Sequence, residues 1–208
     1  MSGLELVGRS SSHFTRTARI FALELGVAHA FRPVFDMTKL EAENYAGNPA
    51  LKVPILVDEQ GPLYGTENIC KELVRRAGGG AGRVLMRGDS GVRAIANFEE
   101  CTLHVMSAEV SVIMTKAMGD GGPPAKLTRS MENCLTYLDE NLSAAFGALP
   151  ADRTLSFVEV ALFCVVTHLP FRQVMETARW THLSEFCEQF GERESARRTP
   201  FRFDTPPE

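Results

Sequence analysis

The sequence predicts a two-part chain: an α/β domain over residues 1–78, a linker over 79–88 and an all-α domain over 89–208. Three observations predict it. Strand and helix signals alternate through the first eighty residues. Four glycines fall within Gly78–Gly82, a composition that marks a linker or an exposed helix end. Beyond them strand signals stop and apolar residues recur at helical spacing. The length of 208 residues suits one large domain or two small ones, at roughly 100–200 residues each.

Each element has its own signal. Leu4 to Val7 alternates in polarity and reads as a strand ending at Gly8. Phe14 to Leu25 places Phe14, Ala18, Phe21, Ala22 and Leu25 on one helical face, and Gly26 stops it. Ala28 to Phe35 reads as a second strand, and Lys39 to Ala46 as a short, weak helix. Val53 to Val57 is a buried-type strand that opens at a proline. Gly61 to Gly65 reads as a turn and a fourth strand. Thr66 to Ala77 is helical, with Ile69, Cys70, Leu73, Val74 and Ala77 inward. The order is βαβ, an irregular helical stretch, then ββα.

After the glycines, Asp89 to Ala117 reads as one long helix. Its expected inward face is Val92, Ala96, Leu103, Met106, Val110, Ile113 and Ala117, with Glu99 as a polar intruder. Ala125 to Phe146 reads as a second helix, with Leu127, Met131, Cys134, Leu135 and Leu138 inward. Ser156 and Glu159 form a capping box that opens a very apolar helix, Phe157 to His168. Pro170 is expected to end it, and His168 to cap its C-terminus. Phe171 to Arg179 and His182 to Phe190 read as shorter helices, and the tail from Thr199 as irregular.

Charge and composition exclude several function classes. The formal net charge is −4. Residues 1–80 hold nine Lys+Arg and nine Asp+Glu, so the excess acid belongs to the rest. No basic stripe appears, which argues against a nucleic acid partner. The apolar start carries Glu5 and no basic n-region, unlike a signal peptide. The longest apolar run, Val160–Thr167, is far short of the ~20 residues a membrane span needs. The five cysteines are odd in number and contain no CxxC pair, which argues for a reduced, cytoplasmic protein without a disulfide scaffold. They read as small hydrophobes on helix faces. The histidines show no HxxxH or HExxH spacing, so no metal site is expected. Gly88-Asp89-Ser90-Gly91 copies a serine-protease string outside any β-barrel. It reads as chance, with Asp89 or Ser90 capping a helix.

Three segments of the first domain carry chemistry. Ser10-Ser11-Ser12-His13-Phe14 stands between the first strand and the first helix. A helix N-terminus offers unpaired N–H groups and a partial positive charge, which suit a thiolate or phosphate. A serine there also simply caps the helix. Lys52-Val53-Pro54-Ile55 is compatible with a cis peptide that turns the Val53 backbone outward toward an extended peptide; an ordinary edge-strand proline is the other reading. Gly65-Thr66-Glu67-Asn68 opens the next helix with polar groups that suit a ligand carboxylate or ammonium, or with Thr66 as a plain N-cap.

In their order, these segments resemble the glutathione transferase family. The matching stretches are residues 10–27, 48–59, 63–69 and 155–162, and the closing 194–201, so the resemblance covers nearly the whole chain. It implies a thioredoxin-like N-terminal domain followed by an all-helical domain. It places Ser12 where serine-type members keep the hydroxyl that meets the glutathione sulfur, with His13 and Phe14 beside it; Ser11 and Ser10 remain candidates. Val53, before a cis Pro54, falls where backbone groups pair with the cysteinyl part of glutathione. Glu67 and Asn68 fall on the pair that holds the γ-glutamyl end, with Asn68 replacing the usual serine. Lys52 falls near the glycyl carboxylate, and His13 stands where many members have proline.

The resemblance implies a cytoplasmic, dimeric glutathione S-transferase active in detoxification. Glutathione is its co-substrate and a small hydrophobic electrophile its second substrate. The acceptor pocket would draw on Phe98, Cys101, His104 and Val105. A zeta-type isomerase and a non-catalytic binding protein are the alternatives. The zeta branch keeps a cysteine close after its serines, where this chain has His13 and Phe14.

Overall fold

The structure is a computed structural model and describes residues 3–78, 83–119 and 122–206. The elements run β1 (Glu5–Gly8), α1 (His13–Glu24), β2 (Ala30–Pro33), a 3-10 turn (Ala42–Tyr45), β3 (Ile55–Asp58), β4 (Gly61–Tyr64) and α2 (Thr66–Ala77). They continue with β5 (Arg83–Leu85), α3 (Arg93–Met118), α4 (Ala125–Gly147), β6 (Arg153–Ser156), α5 (Phe157–Phe171), α6 (Thr181–Gly191) and α7 (Glu194–Arg197). The chain clusters into two compact units. One runs up to Val84 and takes in the chain from Glu194 onward; the other is Leu85–Arg193.

The first unit is built on a four-stranded sheet of order β2-β1-β3-β4. β1 and β2 are parallel, joined by the α1 crossover; β1–β3 and β3–β4 are antiparallel. Side chains alternate across the pleat. Val7 and Ile55 are partners on one face and cluster with Val34 and Tyr45. Leu6 and Leu56 are partners on the opposite face and are equally buried. α1 packs on α2 and buries Ala18, Phe21 and Ala22, while α2 buries Ile69, Cys70 and Leu73. The weak helix expected at 39–46 is a single 3-10 turn, closed by Ala46 in the left-handed region at φ 50°.

The sequence assigns residues 194–208 to the helical domain, whereas the segment from Glu194 packs with the first unit. Of the expected linker, residues 79–82 lie outside the described residues, and 83–85 are strand β5. β5 and β6 are additional to the elements that the sequence predicts.

The second unit packs α3 against α4 and α5, and α6 against α4 and α5. α5 buries eleven of its fifteen residues, as befits a helix apolar on every side. Ser156 caps it as expected, its Oγ accepting from the Glu159 N–H at 3.3 Å, and the hydroxyl also donates to Glu159 Oε2 at 2.5 Å.

Several helical expectations need correction. α5 runs through Pro170 to Phe171, since a proline in the last turn removes one N–H without blocking the remaining bonds. His168 is no C-cap: it is buried, with Nδ1 2.7 Å from Glu109 Oε1. Of the stretch expected as helix at 171–179, Phe171 closes α5 and residues 172–179 form turns and irregular chain.

On α3 Met106 is buried as expected, together with Ile95, Phe98, Thr102, Val105, Glu109 and Val112, whereas Val110 and the N-cap Val92 are exposed. Apolarity alone missed most of this face because Thr102 and Glu109 on it are polar. Both are paired: Thr102 donates to the Phe98 carbonyl, and Glu109 meets His168. Asp89 and Ser90 serve turns before α3, whose N-cap is Val92. Glu99 is buried and accepts from the Gly88 N–H at 3.2 Å.

Candidate functional site

Sheet register brings the three chemistry-bearing segments of the first unit to one end. Val7 pairs with Ile55, and Ile55 with Tyr64. β1 therefore leaves the sheet toward Ser10–Ser12 where β3 enters from Val53-Pro54. β4 leaves at the same end toward Gly65 and α2. Two antiparallel pairings, β1 with β3 and β3 with β4, thus bring segments distant in sequence to one end of the sheet.

The serine loop is shaped by backbone bonds. Gly8 is required: a Cβ there would stand 2.4 Å from Thr15 Cγ2. Thr15 Oγ1 accepts from the Arg9 N–H at 3.3 Å, and the Ser12 N–H donates to the Arg9 carbonyl at 3.1 Å. Ser12 is extended at φ −108°, ψ 124°, and caps α1 by accepting from the Thr15 N–H at 3.2 Å. As an acceptor in that bond, the hydroxyl keeps its own hydrogen for a second partner.

The three serines differ in access. Ser10 and Ser11 are each 3% exposed, while Ser12 is half-buried. Ser10 Oγ accepts from Arg19 at 3.4 Å, and its N–H donates to Asp204 Oδ2 at 2.7 Å. His13, expected beside the ligand, is buried, its ring 4.4 Å from that of half-buried Phe14.

The second segment hangs on Asn48, which is buried. Asn48 Nδ2 donates to the Lys52 carbonyl at 2.7 Å, and its Oδ1 accepts from the Ala50 N–H at 3.0 Å. Leu51 takes φ 53° within this loop, and the Val53-Pro54 peptide is cis. Val53 lies ahead of the ladder, which begins at Ile55, and Lys52 is exposed.

At the third segment, Gly65 rather than Thr66 is the N-cap, at φ 88°, a conformation that favours glycine. Gly65 has no side chain to cap α2, so the helix opens without a side-chain cap bond from that position. Asn68 Nδ2 donates to the Tyr64 carbonyl at 3.0 Å, and Tyr64 OH to the Gly47 carbonyl at 2.9 Å. Glu67 pairs with Lys71 at 2.7 Å.

The expected acceptor residues all stand on α3. Phe98 and Val105 belong to the core of the helical unit, where Phe98 meets Phe146 with ring centres 5.6 Å apart. His104 Nε2 is 2.8 Å from Ser130 Oγ, and Cys101 stands beside Cys134. A separate groove of about 600 Å³ is lined by Arg129, Glu132, Tyr137, Arg179 and Trp180 and touches none of the four. Two residues that shape the serine and Val53 segments escaped the sequence reading. Asn48 carried only an Asn-Pro turn signal, and Asp204 carried none.

Residues 6–81 match the family model described as the glutathione S-transferase N-terminal domain. Among solved structures, the chain is similar to a glutathione S-transferase from Methylobacillus flagellatus KT with GSH bound. The identity is 20% and the TM-score 0.76, over 95% of this chain and 98% of that one. A glutathione transferase family member from Pseudomonas fluorescens Pf-5, with bound glutathione, is 18% identical at TM-score 0.78, over 95% and 98%. A glutathione S-transferase from Methylobacterium radiotolerans JCM 2831, in complex with glutathione sulfonate, is 19% identical at TM-score 0.74, over 99% and 98%. No curated protein matches the sequence. The fold is a thioredoxin-like domain followed by a helical region. No helix among the described residues is long and apolar enough to cross a membrane.

Proposed function

We propose, from a first domain whose residues 6–81 belong to the glutathione S-transferase N-terminal domain family, that this chain binds glutathione and activates its thiol through Ser12. The observation that carries the reading is the half-buried Ser12 hydroxyl. It caps α1 with a lone pair and retains its hydrogen.

In this reading glutathione lies along the sheet end. The Val53 backbone meets its cysteinyl part and Lys52 its glycyl carboxylate. The open N-terminus of α2, with Glu67 and Asn68, takes the γ-glutamyl end. Glu67 and Asn68 already bond Lys71 and Tyr64, so the α2 backbone N–H groups carry most of that contact.

Magnitudes rank the two sources of thiol activation. A hydrogen bond to a charged group contributes about 1.5–3 kcal/mol net. A helix N-terminus contributes about 0.3–1 kcal/mol when exposed. One pKa unit is about 1.36 kcal/mol, so the Ser12 hydroxyl accounts for roughly one to two units and the helix for less than one. The thiolate then attacks a small hydrophobic electrophile: a carbon–sulfur bond forms, and the leaving group departs with its electron pair. The protein supplies orientation and a charged nucleophile. A cytoplasmic homodimer acting in detoxification belongs to the same reading, and sedimentation at micromolar concentration tests the dimer.

A second reading, binding without turnover, is favoured by the internal partners of Glu67 and Asn68. Calorimetry with glutathione, followed by turnover of a model chloroarene, separates the two. Binding with turnover lost in Ser12→Ala supports the first reading. Binding without turnover supports the second, and no binding at millimolar glutathione contradicts both.

A further inference from the structure

The end of the chain returns to the serine loop. Ser195 Oγ donates to Glu24 Oε1 at 2.5 Å. Arg16 Nη2 donates to the Ala196 carbonyl at 3.3 Å, and its guanidinium lies 4.3 Å from the centre of the Phe201 ring. These contacts run the tail along α1 and deliver Asp204, whose side chain is only 6% exposed. Asp204 Oδ2 accepts from the Ser10 N–H at 2.7 Å, and Oδ1 stands 3.5 Å from Arg202 Nε.

Ser10 lies after β1 and before α1, so neither ladder nor helix offers its amide an acceptor. The same peptide unit does a second thing. Its carbonyl, that of Arg9, accepts the Ser12 N–H at 3.1 Å. A peptide is planar and rigid, so holding its N–H fixes the direction of its carbonyl. That carbonyl in turn fixes the backbone of Ser12. Arg19 secures the same turn from its other side by donating to Ser10 Oγ, with its guanidinium 4.4 Å from the centre of the Phe31 ring.

We propose that Asp204 is a positioning residue for Ser12, holding the Arg9–Ser10 peptide whose carbonyl sets where the Ser12 hydroxyl stands. The inference rests on the reading of Ser12 as the donor to the glutathione thiol. It has a sign that a charge effect does not share. Removing a carboxylate near a thiolate favours the anion and lowers the thiol pKa. Loosening Ser12 weakens its hydrogen bond and raises that pKa.

The test is ultraviolet titration of the bound glutathione thiol in wild type, Asp204→Ala and Asp204→Asn. Asp204→Ala is expected to raise the thiol pKa by about one unit, a tenfold loss of thiolate at a given pH. Asp204→Asn keeps an oxygen acceptor and is expected to stay close to wild type. Hydrogen exchange at the Ser10 amide should quicken in Asp204→Ala alone. A wild-type or lowered pKa in folded Asp204→Ala overturns the inference while leaving the Ser12 reading intact. Failure of wild type to bind glutathione overturns the Ser12 reading and this inference with it. Should Asp204→Ala not fold, Asp204→Glu carries the test, because it keeps charge and acceptor but displaces the oxygen. A raised pKa there supports the inference and an unchanged one overturns it.

Discussion

Among the described residues, Ser12 and Ser156 each open a helix, and they differ in what their hydroxyl hydrogen meets. Ser12 and Ser156 are both extended, at φ −108° and −133°, and both accept from the N–H three residues on, at 3.2 and 3.3 Å. They part at the third residue. Ser156 faces Glu159, donates to its carboxylate at 2.5 Å, and is buried. Glu159 in turn holds Arg153 through two bonds, at 3.1 and 2.7 Å. Ser12 faces Thr15, whose hydroxyl accepts from Arg9 and competes for nothing. The same cap is a closed structural device in one unit and an open donor in the other. What decides is whether a carboxylate stands at the third helical position.

The largest expected effect separates the two serines by function. Ser12→Ala should lower kcat/KM for a chloroarene about tenfold to a hundredfold, the equivalent of one hydrogen bond to a charged group. Ser156→Ala should leave it unchanged per folded molecule. Stability should rank them in reverse. By urea unfolding, Ser156→Ala should cost about 2 kcal/mol and Ser12→Ala about 1, the range of N-cap losses. A larger stability loss at Ser12 would break the comparison.

A second variant makes the closed cap resemble the open one. Glu159→Thr removes the acceptor of Ser156 and the partner of Arg153, and should cost about 1–2 kcal/mol. Glutathione affinity should not change.

Acid should act on the first unit through Glu72. Hydrogen bonds from Arg75 and then Arg76, set against desolvation, hold its carboxyl down at about 2. A depressed folded value means the stabilisation is complete above the usual carboxylate range near ~4.3 and is lost as pH falls toward 2. Glu72→Gln should therefore be less stable than wild type at neutral pH and converge with it in acid, as followed by thermal unfolding. A constant gap would contradict this.

The smallest effect lies in the helical unit. Burial, with Cys101 beside it, pushes the Cys134 thiol up to about 11. Its alkylation near neutral pH should be slower than that of a free cysteine, and Cys101→Ala should quicken it, as read by mass spectrometry.

What the sequence disclosed and what it hid follow from distance along the chain. The Ser156 cap is visible within a few residues, whereas local sequence left Ser12 and the cis Val53-Pro54 each with a plain alternative, and the family resemblance chose between them. The meeting of the three chemistry-bearing segments rests on sheet order and register, which alternation along single strands does not reveal and only the family resemblance implied. Asp204 was invisible because its partner lies 194 residues away. His168 looked like a cap because Pro170 follows it, while its partner Glu109 is 59 residues distant. Most of the buried face of α3 was missed for the same reason, since the pairing that admits Glu109 to a core comes from another helix. Phe98 and Val105, offered as pocket residues, lie on that face. Gly65 displaced Thr66 as a cap because the turn out of β4 demands a positive φ, which propensity at Thr66 does not reveal.

The central claim is that the free hydroxyl of Ser12 activates a bound thiol, and the pKa of glutathione on the protein tests it most directly. Titration by thiolate absorbance should give a wild-type value below the ~8.5 of a free cysteine-type thiol, and Ser12→Ala should return it toward that value with glutathione still bound. An identical thiol pKa in the two proteins would contradict the account.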